Sequence, residues 1–114
     1  MLRDKASLLD LARFCLTIQE LIKGIDKPTF MVDIRTQSAI LYQIIILGEA
    51  VKRLSPEFRQ QNLHIPWSAI AGMRDKLVHD YDGVNLEKVW QTITVSLPEF
   101  ITMIEPLLSP DNDE

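Results

Sequence analysis

Apolar residues recur along this chain at alternating steps of three and four, the spacing of one stripe on a helix, and no strand-like alternation competes with them. In the first stretch the stripe is Leu8, Leu11, Cys15, Ile18, Ile22 and Ile25, and it predicts a helix ending near Gly24, a residue suited to the left-handed position past a helix end. A turn at Asp26-Lys27-Pro28 follows, then a short helical turn at Phe30 to Val32. Asp33 is the expected cap of a second long helix that runs to Leu54, with Ile40, Ile44, Leu47, Val51 and Leu54 as its stripe. A second row, Leu41, Ile45 and Gly48, makes that apolar face wider than one neighbour covers, so this helix is expected at the centre and its spare surface at an interface.

Ser55-Pro56 reads as a cap followed by proline at the first helical position, opening a short helix to Gln61. Ile65-Pro66-Trp67 opens another helical stretch through His79, with a possible break at Gly72, and Asp82-Gly83 closes it as a turn. Asn85 caps the last helix, whose stripe is Leu86, Val89, Ile93, Leu97, Phe100, Ile104 and Leu107. Pro98 lies inside it and is expected to kink it. The expectation is an all-α, up-and-down bundle of four main helices plus short ones, with residues 1–108 as one domain and 109–114 as a frayed acidic tail.

Composition narrows the function. The 114 residues hold 12 Lys and Arg against 16 Asp and Glu, so the formal net charge is −4 and any contact with nucleic acid must be local. A single cysteine, Cys15, excludes an internal disulfide and a multi-cysteine zinc site, and its place in an apolar stripe predicts a buried thiol. The sequence shows neither an apolar leader at its start nor a run long enough to span a membrane, so a cytoplasmic location is expected. There is no Gly-rich phosphate loop, no helical pair of histidines for a metal, and no cofactor motif.

Two histidines remain. His64 lies in a polar linker and reads as a solvated surface residue. His79 stands among Arg74, Asp75, Lys76, Asp80, Tyr81 and Asp82, more polar residues than a core helix needs. Asp75 and His79 are four apart, so the carboxylate can orient the imidazole. Arg74 is about 140° from His79 on an ideal helix, yet its long side chain can reach the same anion. A bland alternative is a helix C-terminus whose His and Arg suit the macrodipole. Glu49, in an otherwise apolar helix, is either a buried partner of Arg74 or an exposed edge residue. Trp67 and Trp90 read as core or interface anchors rather than base-stacking platforms.

Ile65-Pro66-Trp67, Ile70, Gly72-Met73-Arg74, Leu77, His79, Tyr81, Gly83 and Trp90 together resemble the HEPN superfamily, specifically its DUF86 or HepT branch. The resemblance extends to Arg35-Thr36-Gln37 and Leu47-Gly48-Glu49-Ala50, and so covers nearly the whole chain. Its most specific part, Arg-x4-His-x-Tyr, is intact as Arg74, His79 and Tyr81. It implies a helical homodimer in which two Arg-x4-His motifs face each other, and a metal-independent endoribonuclease with RNA as substrate. It also implies a toxin partnered by a minimal nucleotidyltransferase antitoxin of the MntA type, which adds AMP to the motif tyrosine, here Tyr81. A second reading is a non-catalytic module that presents nucleotide or substrate to such a nucleotidyltransferase. A third is a purely structural helical dimer. Arg74 and His79 are the expected catalytic residues and Tyr81 the modified one, with Asp75 and Glu49 in support.

Overall fold

The computed structural model describes residues 2–108, apart from the side chains of Leu2 and Tyr81. The expected tail at 109–114 lies outside the described residues. Among these the chain is all helix and turn. The long helices are α1 (Leu2–Leu21) and α3 (Ile34–Arg53), followed by α5 (Trp67–His79) and the composite last helix. The short ones are α2 (Lys27–Phe30) and α4 (Pro56–Gln61).

Local chemistry sets the boundaries. Gly24 adopts φ 76°, the left-handed conformation that ends α1. Asp26 caps α2 through Thr29 N–H at 2.9 Å, one turn earlier than the Phe30–Val32 turn expected from sequence. Proline inside the first turn explains that shift, because its missing N–H costs nothing there. Asp33 caps α3 through Thr36 N–H, and Ser55 caps α4 through Phe58 N–H, both as expected. The expected break at Gly72 does not occur; α5 is continuous, since the helix packs along α3 and one glycine costs only about 1 kcal/mol.

The last helix begins at α6 (Leu86–Gln91), capped by Asn85, and ends at α7 (Leu97–Ile104). Between them Thr92–Ser96 form a π-helical turn in which Leu97 N–H donates to the carbonyl five residues back, on Thr92. This is how the chain accommodates Pro98. A wider turn moves the preceding carbonyls away from the ring and removes the need for its missing N–H.

Helix directions follow from four contacts. Asp4, buried near the start of α1, accepts hydrogen bonds from Ser55 N–H at 2.7 Å and Ser55 Oγ at 2.8 Å, just past the end of α3. The two helices are therefore antiparallel. Phe58 in α4 packs at a tilt against Trp67 with ring centroids 6.2 Å apart, so α5 starts where α3 ends and runs back along it. Phe100 meets Trp67 edge-on at 5.9 Å and Trp90 packs on Phe30 at 5.2 Å, which sets the last helix parallel to α3. The result is an up-and-down bundle of 46 × 29 × 20 Å with α3 between α1 and α5. The three predicted stripes form its core: Leu11, Cys15 and Ile18 from α1, Ile40 and Val51 from α3, and Val89, Ile93 and Ile104 from the last helix are all but fully buried. Among the described residues no helix is long and apolar enough to cross a membrane.

Candidate active site at the crossing of α3 and α5

The crossing point is Gly48. A Cβ there would overlap the Arg74 Cβ, and it would lie 2.9 Å from Arg74 Cγ and 3.3 Å from the Ile70 carbonyl oxygen. Only a glycine lets the stem of Arg74 lie directly against the α3 backbone. From that position the guanidinium reaches both helices. Its Nη2 is 3.1 Å from Glu49 Oε2 on α3, and its Nη1 donates to Asp75 Oδ1 at 2.9 Å on its own helix. Lys52, one turn further along α3, donates to the same Asp75 oxygen at 2.5 Å. Glu49, Arg74, Asp75 and Lys52 thus form one chain of alternating charge across two helices.

Burial makes this chain more than a surface pair. The Arg74 side chain is only 24% exposed, whereas Glu49 is 41% exposed. Arg74 Nε and Glu49 Oε2 are both buried and lack a hydrogen bond, so their 3.1 Å approach is an ion pair by distance without hydrogen-bond alignment. The Asp75 carboxyl is held below the ordinary carboxylate range, first by the hydrogen bond from Lys52 and then by that from Arg74. Glu49 is therefore a partner of Arg74 but only half-buried, between the two readings the sequence allowed.

His79 occupies the last turn of α5 and is exposed. Asp75 does not orient it. Its carboxylate is turned to Lys52 and Arg74, because two cations outcompete an imidazole for one carboxylate, and among the described residues the His79 side chain has no hydrogen-bond or ion-pair partner. His64 is exposed in its linker, as expected. The helix ends with Asp80 N–H bonded to the Lys76 carbonyl, and Tyr81–Gly83 form one 3₁₀ turn. Gly83 permits that turn, since a Cβ there would come within 2.9 Å of both Asp80 carboxylate oxygens. The Tyr81 backbone starts this turn, while the expectation for its phenol lies outside the described side chains.

Sequence reasoning missed Lys52. Its signal was available, because Glu49 and Lys52 are three apart and share a helix face. It also missed Tyr42 and Val78. Tyr42, seven residues before Glu49, is 60% exposed, and Val78, four after Arg74, is 39% exposed. With the half-buried Ile45 they surround the charged chain with uncovered apolar surface on the same two helix faces.

The sequence pattern of the family described as Ribonuclease HepT-like matches residues 11–107, a span that contains every element of this crossing. The chain belongs to the HepT-like family. It is 40% identical over 97 residues to a protein of Caldanaerobacter subterraneus subsp. tengcongensis named "Putative RNase", covering 85% of this chain and 87% of that one. It is 35% identical over 103 residues to "Probable ribonuclease HepT" of Thermococcus cleftensis, covering 90% and 94% of the two chains. A "Putative RNase" of Methanocaldococcus jannaschii is 34% identical over 104 residues, covering 91% and 90%. No solved structure gives a significant match. The HepT-like chain described here shares with these relatives nearly its full length, not just the motif helix.

Proposed function

We propose that this HepT-like protein is an endoribonuclease toxin that cuts RNA without a metal, at a site built by two copies of the chain. The carrying observation is the pairing of a fixed guanidinium with an exposed imidazole at the end of the same helix, beside the uncovered Tyr42 and Val78. One chain brings one such imidazole. Cleavage by the 2′-OH of RNA needs both a base and an acid, and a two-fold axis over this face supplies His79 twice.

In this reading His79 of one copy removes the proton from the 2′-OH as the oxygen attacks the adjacent phosphorus. His79 of the other copy protonates the departing 5′-oxygen. Imidazole is the side chain suited to either role, since it can both accept and donate the proton. Arg74 from each copy meets the charge that develops on the phosphorane oxygens, with the guanidinium donors that Glu49 and Asp75 leave open. The products are a 2′,3′-cyclic phosphate and a 5′-hydroxyl. DNA has no 2′-OH and is not cut.

The partner in this reading is a minimal nucleotidyltransferase antitoxin. The Tyr81 oxygen attacks the α-phosphorus of ATP, pyrophosphate leaves, and the phenolic proton passes to solvent or to a base of the partner. AMP then adds about one negative charge beside Arg74 and His79. The start of the 3₁₀ turn at Tyr81 supports this, because a turn residue can enter a second active site without unfolding a helix.

The test is purified protein on tRNA and mRNA in EDTA, with end-group analysis of the products. Arg74→Ala and His79→Ala are each expected to lower the cleavage rate by at least ~10²-fold with helicity intact. Cleavage by His79→Ala at the parental rate would remove His79 from the chemistry and favour a non-catalytic partner of the nucleotidyltransferase.

A further inference from the structure

Lys52 stands outside the Arg-x4-His-x-Tyr motif, on a different helix, yet it donates to the same carboxylate oxygen that Arg74 Nη1 uses. Asp75 is thereby clamped from two sides. If it were free to rotate, the guanidinium would keep only Glu49, whose approach lacks hydrogen-bond alignment, and a buried Nε with no acceptor. The direction in which Arg74 presents its remaining donors therefore depends on Asp75, and Asp75 depends on Lys52. From this geometry we infer that Lys52 is a positioning residue for the proposed cleavage site, holding Asp75 so that Asp75 fixes the Arg74 guanidinium.

The inference rests on the nuclease reading for its kinetic consequence, but the clamp itself is a property of the free protein. Two further observations fit it. The Asp75 carboxyl is held below the ordinary carboxylate range, first by the hydrogen bond from Lys52 and then by that from Arg74, as expected where both cations hold one anion. The four side chains also cancel in charge, two carboxylates against two cations, so the network carries no net charge of its own. Among the described residues the one polar contact of the Lys52 ammonium is with Asp75, at 2.5 Å, which places it behind the guanidinium as its support.

The experiment compares the parent with Lys52→Met, Lys52→Arg, Asp75→Asn and the double variant Lys52→Met/Asp75→Asn, with Arg74→Ala as control. In RNA-free protein, NMR of the Arg74 Nε–H group should show a guanidinium that is ordered in the parent, mobile in Lys52→Met and ordered again in Lys52→Arg. In single-turnover cleavage at saturating RNA, Lys52→Met should lose about 10- to 100-fold in rate, the scale of misplacing a catalytic group. RNA affinity should change much less, and Lys52→Arg should recover most of the rate. Asp75→Asn should lose a similar factor, and the double variant no more than either alone. An Arg74 signal equally ordered in parent and Lys52→Met overturns the inference. So does a Lys52→Met defect confined to RNA affinity with a salt slope shallower by about 1, the mark of a direct phosphate contact. A parent that does not cut RNA, or an Arg74→Ala variant that cuts as fast, refutes the nuclease reading instead, while the NMR comparison still decides the clamp.

Discussion

Arg74 shows how little of a charged residue's behaviour follows from its own chemistry. Its stem is buried by a glycine on a neighbouring helix, and its head is shared between carboxylates of two helices. Cys15 is the opposite case, a residue whose setting is entirely apolar. Burial in the α1 stripe pushes its thiol up to about 12. The folded value lies above the unfolded one, near 9, so the folded state keeps a proton that the unfolded state loses. Stability is unaffected by this group below pH ~9 and falls as pH rises toward ~12. Urea titrations of the parent and Cys15→Ala across that window should show a steeper alkaline loss in the parent. Native protein at pH 8 should resist iodoacetamide, and rapid alkylation would show that the thiol is reached without unfolding. At Tyr81 the prediction is regulatory. Incubation with the cognate nucleotidyltransferase, ATP and Mg²⁺ should add one AMP mass to the parent and none to Tyr81→Phe, which should keep most of its cleavage activity. A modified parent that still cuts RNA normally would separate the mass gain from silencing.

Between helices, the decisive contact is the approach of α5 to α3 over Gly48. Gly48→Ala places a methyl group into the Arg74 stem, and neither helix backbone can give way without losing its packing. The expected cost is about 1–3 kcal/mol in stability, typical of an overfilled site, together with a loss of cleavage larger than that of an equally destabilised core variant. Ile40→Val, a core change remote from the site, is the matched comparison. Equal activity losses at equal stability would mean that the crossing has no special bearing on Arg74. The last helix illustrates a device of another kind. Its stripe continues in register from Val89 to Ile104 although the backbone passes through a π turn, because the extra residue is taken up just ahead of Pro98. From sequence the proline announced a kink; which form the relief takes was set by the packing on either side.

For the molecule as a whole, the face that carries the charged chain also carries two of the exposed apolar residues, Tyr42 and Val78. A homodimer through that face is expected, and it places the two His79 side chains around one axis. Val78→Asp puts a carboxylate into this surface without touching the core. Sedimentation should show the parent as a dimer and Val78→Asp as a folded monomer with cleavage reduced at least ~10²-fold. A parent that sediments as a monomer at micromolar concentration while cutting RNA would refute the composite site.

Periodicity and capping are local properties, and they were enough to place the helices: Asp33, Ser55 and Asn85 cap as their residue types dictate, and the three long stripes became the core. The motif Arg74, His79 and Tyr81, read together with Ile65-Pro66-Trp67 and Gly72-Met73 ahead of it, likewise pointed to the family. What the sequence by itself left open was who pairs with whom. Asp75 and His79 stand at a spacing that permits contact, yet Asp75 turns to Lys52, 23 positions earlier in the chain. That choice follows from the helix crossing at Gly48, which brings an ammonium and a guanidinium to one carboxylate and leaves the imidazole in water. Competition among partners is resolved only in three dimensions, since it depends on distances between residues that the chain holds far apart.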